Sequence, residues 1–161
     1  MKISTKGRYA LRLMIDLAIH QGDGYVSLKD AAERQEISVK YLEQIAGMLS
    51  KAGMLHSGRG PQGGYRLARP QEKYTVGSIL RLTEGNLAPV VCLGGEENPC
   101  EKCNECATLD FWSGLYATIN AYVDRFTLAD LVRSELEKNP ESGPVKEATR
   151  PDAEPCKPAK Q

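Results

Sequence analysis

Apolar residues recur at helical spacing from Ser4 or Thr5 to about His20: Tyr9, Leu13 and Leu17 on one row, Ala10 and Met14 beside it. Gly22 and Gly24 close this first predicted helix. Ser27-Leu28-Lys29-Asp30 then sets a hydroxyl residue three positions before an acid, as a capping box does, and predicts a short helix to about Gln35. Ser38 caps a third helix running to about Ala52, with Gly53 as its stop. In that helix Leu42, Ile45, Ala46 and Leu49 follow the i, i+3, i+4, i+7 pattern and form the stripe expected to be buried. Lys40, Glu43, Gln44, Gly47 and Lys51 share the opposite side. Three short helices with a tight connection before the last are the pattern of a helix-turn-helix.

The pattern then changes period. Leu55-His56-Ser57 and Tyr65-Arg66-Leu67-Ala68 read as two strands around Gly58-Arg59-Gly60-Pro61-Gln62-Gly63-Gly64. A helix-turn-helix followed by a β-hairpin is a winged helix. The glycines permit positive φ and close backbone approach, and an Arg on such a tip suits a narrow minor groove. Gly58, Gly60 and Gly63 also match G-x-G-x-x-G. That fingerprint needs a helix opening straight after the glycines; here Pro61 interrupts it and a strand follows, so the dinucleotide reading fails.

From Thr75 to about Glu84, Val76, Ile79, Leu80 and Leu82 predict another helix, ended by Gly85. A loop of about 88–108 follows, then a long helix with Trp112, Leu115, Tyr116, Ile119, Tyr122, Val123 and Phe126 on one broad stripe. Thr127-Leu128-Ala129-Asp130 looks like a new capping box leading Leu131, Val132 and Leu136. So apolar a helix, placed after a complete small core, is read as a subunit interface. Residues 139–161 carry five prolines and, of large apolar residues, only Val145, so this tail is expected to be disordered, with Cys156 an inert thiol in it. The fold class is mainly α with a small β-hairpin. Residues 1–87 form a winged-helix DNA-binding domain, 88–108 a cysteine-rich loop, 109–138 a dimerisation helix region and 139–161 the tail.

Charge sharpens this picture. Lys plus Arg equal Asp plus Glu at 21 each, but residues 1–70 hold 11 basic against six acidic residues and the remainder the reverse imbalance, +5 against −5. A basic front with an acidic back suits a polyanion-binding domain with a separate module behind it. No apolar signal core opens the chain and no run of 18 apolar residues exists, which points to a cytoplasmic protein with no membrane partner. Paired carboxylates and a Ser/His/Asp set are not discernible, so an enzyme is not expected.

Four thiols fall within 15 residues, as Cys92-x7-Cys100-x2-Cys103-x2-Cys106. In a reducing compartment such a cluster reads as metal-binding or redox-active before it reads as disulfides. Thiolates suit zinc and iron–sulfur centres. Zinc sites more often show two separate pairs, whereas the x2-x2 run resembles the loop holding four-iron clusters in bacterial ferredoxins. Spacing therefore ranks iron–sulfur first, then zinc, then a thiol–disulfide switch. His20 and His56 lie outside the loop.

Several stretches resemble the IscR-type winged-helix repressors: Ile3-Ser4-Thr5-Lys6-Gly7-Arg8-Tyr9-Ala10, Ile37-Ser38-Val39-Lys40-Tyr41-Leu42-Glu43-Gln44 and Arg59-Gly60-Pro61-Gln62-Gly63-Gly64-Tyr65. The resemblance covers residues 1 to about 137. It implies a homodimer on double-stranded DNA with a pseudo-palindromic operator, and cluster-assembly proteins as further partners. It places Glu43 and Gln44 at base edges, Arg59 in the minor groove, and Ser38 and Tyr41 at the DNA backbone. Lys40, Lys51 and Gly60 complete the candidate DNA-binding set. The helix from about Thr108 would be the dimerisation helix, and Cys92, Cys100 and Cys106 the ligands of an iron–sulfur cluster. Assembly regulators in this family often carry a His three residues after the last Cys, where this chain has Leu109, and Cys103 is an added thiol. The fourth ligand is then Cys103 or another residue; [2Fe-2S] is favoured over [4Fe-4S]. A zinc-bound or clusterless repressor sensing through a partner protein and a ferredoxin-like electron carrier are the competing readings.

Overall fold

The computed structural model describes residues 2–95 and 97–143. Helix α1 (Thr5–His20) is the pillar of the fold. Ser4 caps it, its Oγ accepting from the Gly7 N–H at 3.3 Å. Ala10, Leu13, Met14 and Leu17 are all fully buried, and removing each such leucine from water stabilises the fold by about 1.5–3 kcal/mol. Around α1 pack α2 (Leu28–Gln35), α3 (Val39–Lys51), α4 (Val76–Glu84) and α6 (Leu128–Lys138).

The turn between α2 and α3 is short and fixed. Ser27 caps α2, accepting from Lys29 N–H at 3.2 Å. Glu36 ends it in the left-handed region with φ 54°, and Ile37 N–H donates back to Ala32 O at 3.0 Å, so the chain reverses within a few bonds. Ser38 then caps α3, its Oγ accepting from Tyr41 N–H at 3.3 Å. Leu42, Ile45, Ala46 and Leu49 enter the core as the periodicity predicts.

Strands β1 (Leu55–Gly58) and β2 (Gly64–Leu67) pair antiparallel, with Leu55 opposite Leu67 and Gly58 opposite Gly64. Val26 and Tyr65 exchange two backbone hydrogen bonds of 2.9 Å, so a single residue before α2 pins the hairpin from its other edge. Gly64 (φ 153°) is required there, because a Cβ would run into the Val26 carbonyl. Tyr74 locks the hairpin exit: its buried hydroxyl donates to Met54 O at 2.8 Å and accepts from Arg69 N–H at 2.9 Å.

Helix α5 (Leu109–Arg125) contains no buried residue. Phe111, Leu115 and Tyr122 are exposed. It meets α4 near its C-terminal end: Arg81 donates to Asn120 Oδ1 at 2.7 Å and bonds Asp124, which also accepts from Thr75 at 3.1 Å, and Val123 lies against Gly77. The chain then crosses the start of α4, where Val76 N–H donates to Phe126 O and Leu128 N–H to Tyr74 O, both at 2.9 Å.

Helix α6 returns to the core. Its capping box forms as expected, with Thr127 and Asp130 bonded reciprocally. Leu128 and Val132 belong to the same core as α1 and α3. The winged unit is therefore completed by a segment from beyond α5, and only α5 within 109–138 stands apart from that core. Of the predicted tail, Asn139–Gly143 is described: Pro140–Ser142 forms a 3-10 turn, and Ser142 Oγ donates to Glu135 at 3.4 Å. The rest of the tail, with Cys156, lies outside the described residues.

Candidate nucleic-acid interface and thiol loop

The fold sets one side of α3 and the hairpin tip in solvent. Ser38, Lys40, Glu43, Gln44 and Lys51 are exposed, as are Arg59 and Gly60 between the strands. Gly60 turns the tip at φ 97°. Tyr41 is half-buried, its ring meeting Tyr9 edge-on at 5.7 Å and 82°. Arg12 in turn lies over Tyr9 at 5.6 Å and donates to both Gln35 Oε1 and Gln35 O at 2.9 and 2.6 Å. The first turn of α3 is thus held against α1 and the end of α2, while its polar side is free to meet a ligand. Ser38 Oγ accepts a capping bond, which leaves its O–H to donate to a phosphate oxygen. Lys40, Lys51 and Arg59 supply positive charge for a polyanion, and Gln44 offers both donor and acceptor to a base edge.

Two supports of this surface escape a sequence reading. Asp16, on α1, is fully buried and takes Arg34 Nε and Nη2 at 2.9 and 2.7 Å, and Gln35 Nε2 at 3.2 Å. The carboxylate raises the Arg34 pKa above its ordinary value, through the hydrogen bond first and its charge as well, against the lowering effect of partial burial. It anchors the last turn of α2, just before the reversal. Tyr25 is the other. Its ring lies against Gly58 at the wing base and carries the Arg66 guanidinium at 5.1 Å. Arg66 Nε is buried and has no hydrogen-bond partner among the described residues.

The thiols sit in the loop between α4 and α5. Cys92 lies in a 3-10 turn (Val91–Leu93) and Cys103 opens another (Cys103–Glu105); both are half-buried, while Cys100 and Cys106 are exposed. Cys103 N–H donates to Cys100 O at 3.0 Å and Cys106 N–H to Cys103 O at 3.4 Å, two successive three-residue turns. Cys106 Sγ is 3.5 Å from Thr108 Oγ1. The Thr108 hydroxyl first, then the Thr108 backbone N–H, holds the Cys106 thiol below its usual pKa, which favours the thiolate a metal takes. The four thiols are free. As a donor set they fit a thiophilic iron or zinc centre. Among the described residues, no three His, Cys, Asp or Glu side chains converge on one point, so the loop must close further to hold such a centre.

Comparison with known proteins agrees with this architecture. Residues 3–134 match the Rrf2 family model, described as an iron-dependent transcriptional regulator. The HTH-type transcriptional regulator IscR of Yersinia pseudotuberculosis is 38% identical over 135 residues, 84% of this chain and 81% of that protein. Among solved structures, T. potens IscR is 40% identical with TM-score 0.68, over 86% of this chain and 91% of that one. CymR, titled the global cysteine regulator of B. subtilis, is 36% identical with TM-score 0.68, over 83% of this chain and 98% of that one. These relatives are regulators, not enzymes, and no helix among the described residues is long and apolar enough to cross a membrane. With its helix-turn-helix, its wing and this match over most of its length, the chain belongs to the Rrf2 family and is a DNA-binding transcriptional regulator.

Proposed function

We propose that this regulator binds a pseudo-palindromic operator as a homodimer, with an affinity set by an iron–sulfur cluster on the thiol loop. The observation that carries the reading is positional: the thiols lie on the chain segment that joins α4, which packs on α1, to α5, none of whose residues is fully buried. Support comes from the iron dependence in the family description and from the IscR relatives. Cys92, Cys100 and Cys106 would hold the cluster, with Cys103 the available fourth donor; [2Fe-2S] is favoured over [4Fe-4S]. When bound, the cluster supplies a crosslink that depends on iron, oxidant and cluster supply.

The chain's own groups carry the rest. Gln44 and Glu43 read base edges, Glu43 by accepting from cytosine N4. Ser38, Lys40, Tyr41 and Lys51 hold the backbone, and Arg59 with Gly60 enters the minor groove. The apolar stripe of α5, on which Leu115 and Tyr122 are exposed, pairs with its copy, which sets two recognition helices about one helical turn apart. The Arg81–Asn120 and Arg81–Asp124 bonds connect that pairing to the DNA-binding unit. A change in α5 therefore changes half-site spacing, and coupling of this kind is about 1–3 kcal/mol, or roughly 5–150-fold in affinity.

Metal analysis, visible absorption and footprinting of anaerobically purified protein test the proposal together. A coloured protein with iron and sulfide, whose footprint shifts in the Cys92→Ser/Cys100→Ser/Cys106→Ser variant, is the expected result. Colourless protein with stoichiometric zinc overturns the iron–sulfur part and leaves the DNA-binding assignment intact. Identical footprints of variant and wild type at every iron level overturn the coupling.

A further inference from the structure

Helix α1 carries charge that the interface described so far leaves unused. Tyr9 rests edge-on against Tyr41 in the first turn of α3 at 5.7 Å. Thr5 and Lys6 stand four and three residues before Tyr9, so they are its neighbours on the helix surface. Arg8 is drawn to the same side, its Nη2 donating to Thr5 Oγ1 at 3.2 Å. Thr5, Lys6 and Arg8 are exposed, and no acidic residue lies in the first turn of α1. Glu84 is on the far side of the helix, where it lies against Gly7 and accepts from Ser4 Oγ at 2.7 Å. Arg12, one turn beyond Tyr9, is already committed to Gln35.

The geometry points to a second, sequence-independent DNA contact: Lys6 and Arg8 neutralise phosphates of the duplex backbone beside the groove that α3 enters. It rests on α3 being the reading helix. The Tyr9–Tyr41 contact fixes the distance between the two, so a groove occupied by Gln44 brings the adjoining phosphodiester strand toward the opening turns of α1. Lysine and arginine suit this role because a phosphate contact demands charge and no base identity. An Asp or Glu here would repel the strand.

Counterion release gives the test a number. Each neutralised phosphate contributes about 0.9 to the slope of log affinity against log salt. The full chain carrying Lys6→Gln and Arg8→Gln should lose about 1.8 from that slope per bound subunit. Between about 50 and 200 mM salt, the affinity drop then shrinks roughly 12-fold relative to wild type. The weakening should be equal on operator and on random duplex. The charge-keeping variant, Lys6→Arg with Arg8→Lys, should retain the wild-type slope and melting temperature. An unchanged slope in the glutamine variant overturns the inference, including the case where affinity falls equally at all salts, since that is a structural effect. Wild-type protein with no salt-dependent duplex binding would sink this inference and the reading beneath it together; a steep wild-type slope with a silent variant sinks this one alone.

Discussion

Replacing Arg34 with alanine removes the partner of a carboxylate that has no access to water. The Asp16 side chain is 0% exposed and that of Arg34 34% exposed. Three side-chain hydrogen bonds reach the carboxylate, two from Arg34 and one from Gln35. Losing Arg34 strands the charge with one amide and the His20 ring, whose Nδ1 is 3.7 Å away. Breaking a buried pair from the side that leaves a buried ion costs about 3–5 kcal/mol. The third of the Arg34 side chain open to solvent screens the guanidinium side of the pair, so the lower end of that range, about 3 kcal/mol, is expected. Asp16→Asn acts differently. It keeps the volume and one acceptor, and the guanidinium it releases can turn to water, so about 1–2 kcal/mol is expected. Asp16→Leu with Arg34→Met should lie within about 1 kcal/mol of wild type, since an apolar pair carries no desolvation cost. Urea unfolding at one fixed protein concentration reads all three, the fixed concentration being needed because association adds to apparent stability. The ordering is the claim. If Asp16→Asn costs more than Arg34→Ala, the buried carboxylate is not the expensive member and the reasoning fails. A functional echo follows, because the pair anchors α2 just ahead of Glu36: Arg34→Ala should weaken operator binding even below its melting range.

Arg59→Ala should weaken binding most at sites with A·T-rich flanks; equal loss at G·C-rich flanks, by fluorescence anisotropy, would make Arg59 a plain phosphate contact. Glu43→Ala should broaden sequence preference in a selection on randomised duplexes while keeping affinity for the best site, since a carboxylate facing phosphates is repelled and serves discrimination. Glu36→Gly should stabilise the fold by about 0.5–1 kcal/mol in urea titration, because Glu36 holds φ 54° where glycine is free of Cβ strain. Asp130 has its pKa lowered by the Thr127 backbone N–H first and the Thr127 hydroxyl next. Its capping contribution is therefore present above the ordinary carboxylate range and lost as pH falls through the lowered value; Asp130→Ala should flatten the acid side of the stability profile, and an unchanged acid limb would contradict it.

Why some of this was legible and some was not comes down to the range of the forces involved. Ser38 and Thr127 cap their helices as the sequence reading predicts, because a cap bonds backbone within three residues. The stripe Leu42, Ile45, Ala46 and Leu49 is local in the same sense, and so is the glycine-rich hairpin tip. The destination of a stripe is not local. Leu128 and Val132 show the period of a helix but not which surface they seek, and they return to the α1 core through backbone bonds joining Tyr74 to Leu128 and Val76 to Phe126. Asp16 carries no local signal, because its partner Arg34 is 18 residues away and meets it only in the fold. The Val26–Tyr65 pairing is one residue wide, too short to leave any period. The thiol loop is the extreme case. Its x2 spacings do reappear as two successive backbone turns through Cys100, Cys103 and Cys106. Its two 3-10 turns, however, fully bury no residue and leave Cys92 and Cys103 half-covered and Cys100 and Cys106 exposed, so packing constrains the thiols only weakly. A loop without a core takes its geometry from whatever its side chains bind, so the thiol spacing announces a donor set but not its arrangement, while α5 meets α4 through Arg81, Asn120 and Asp124.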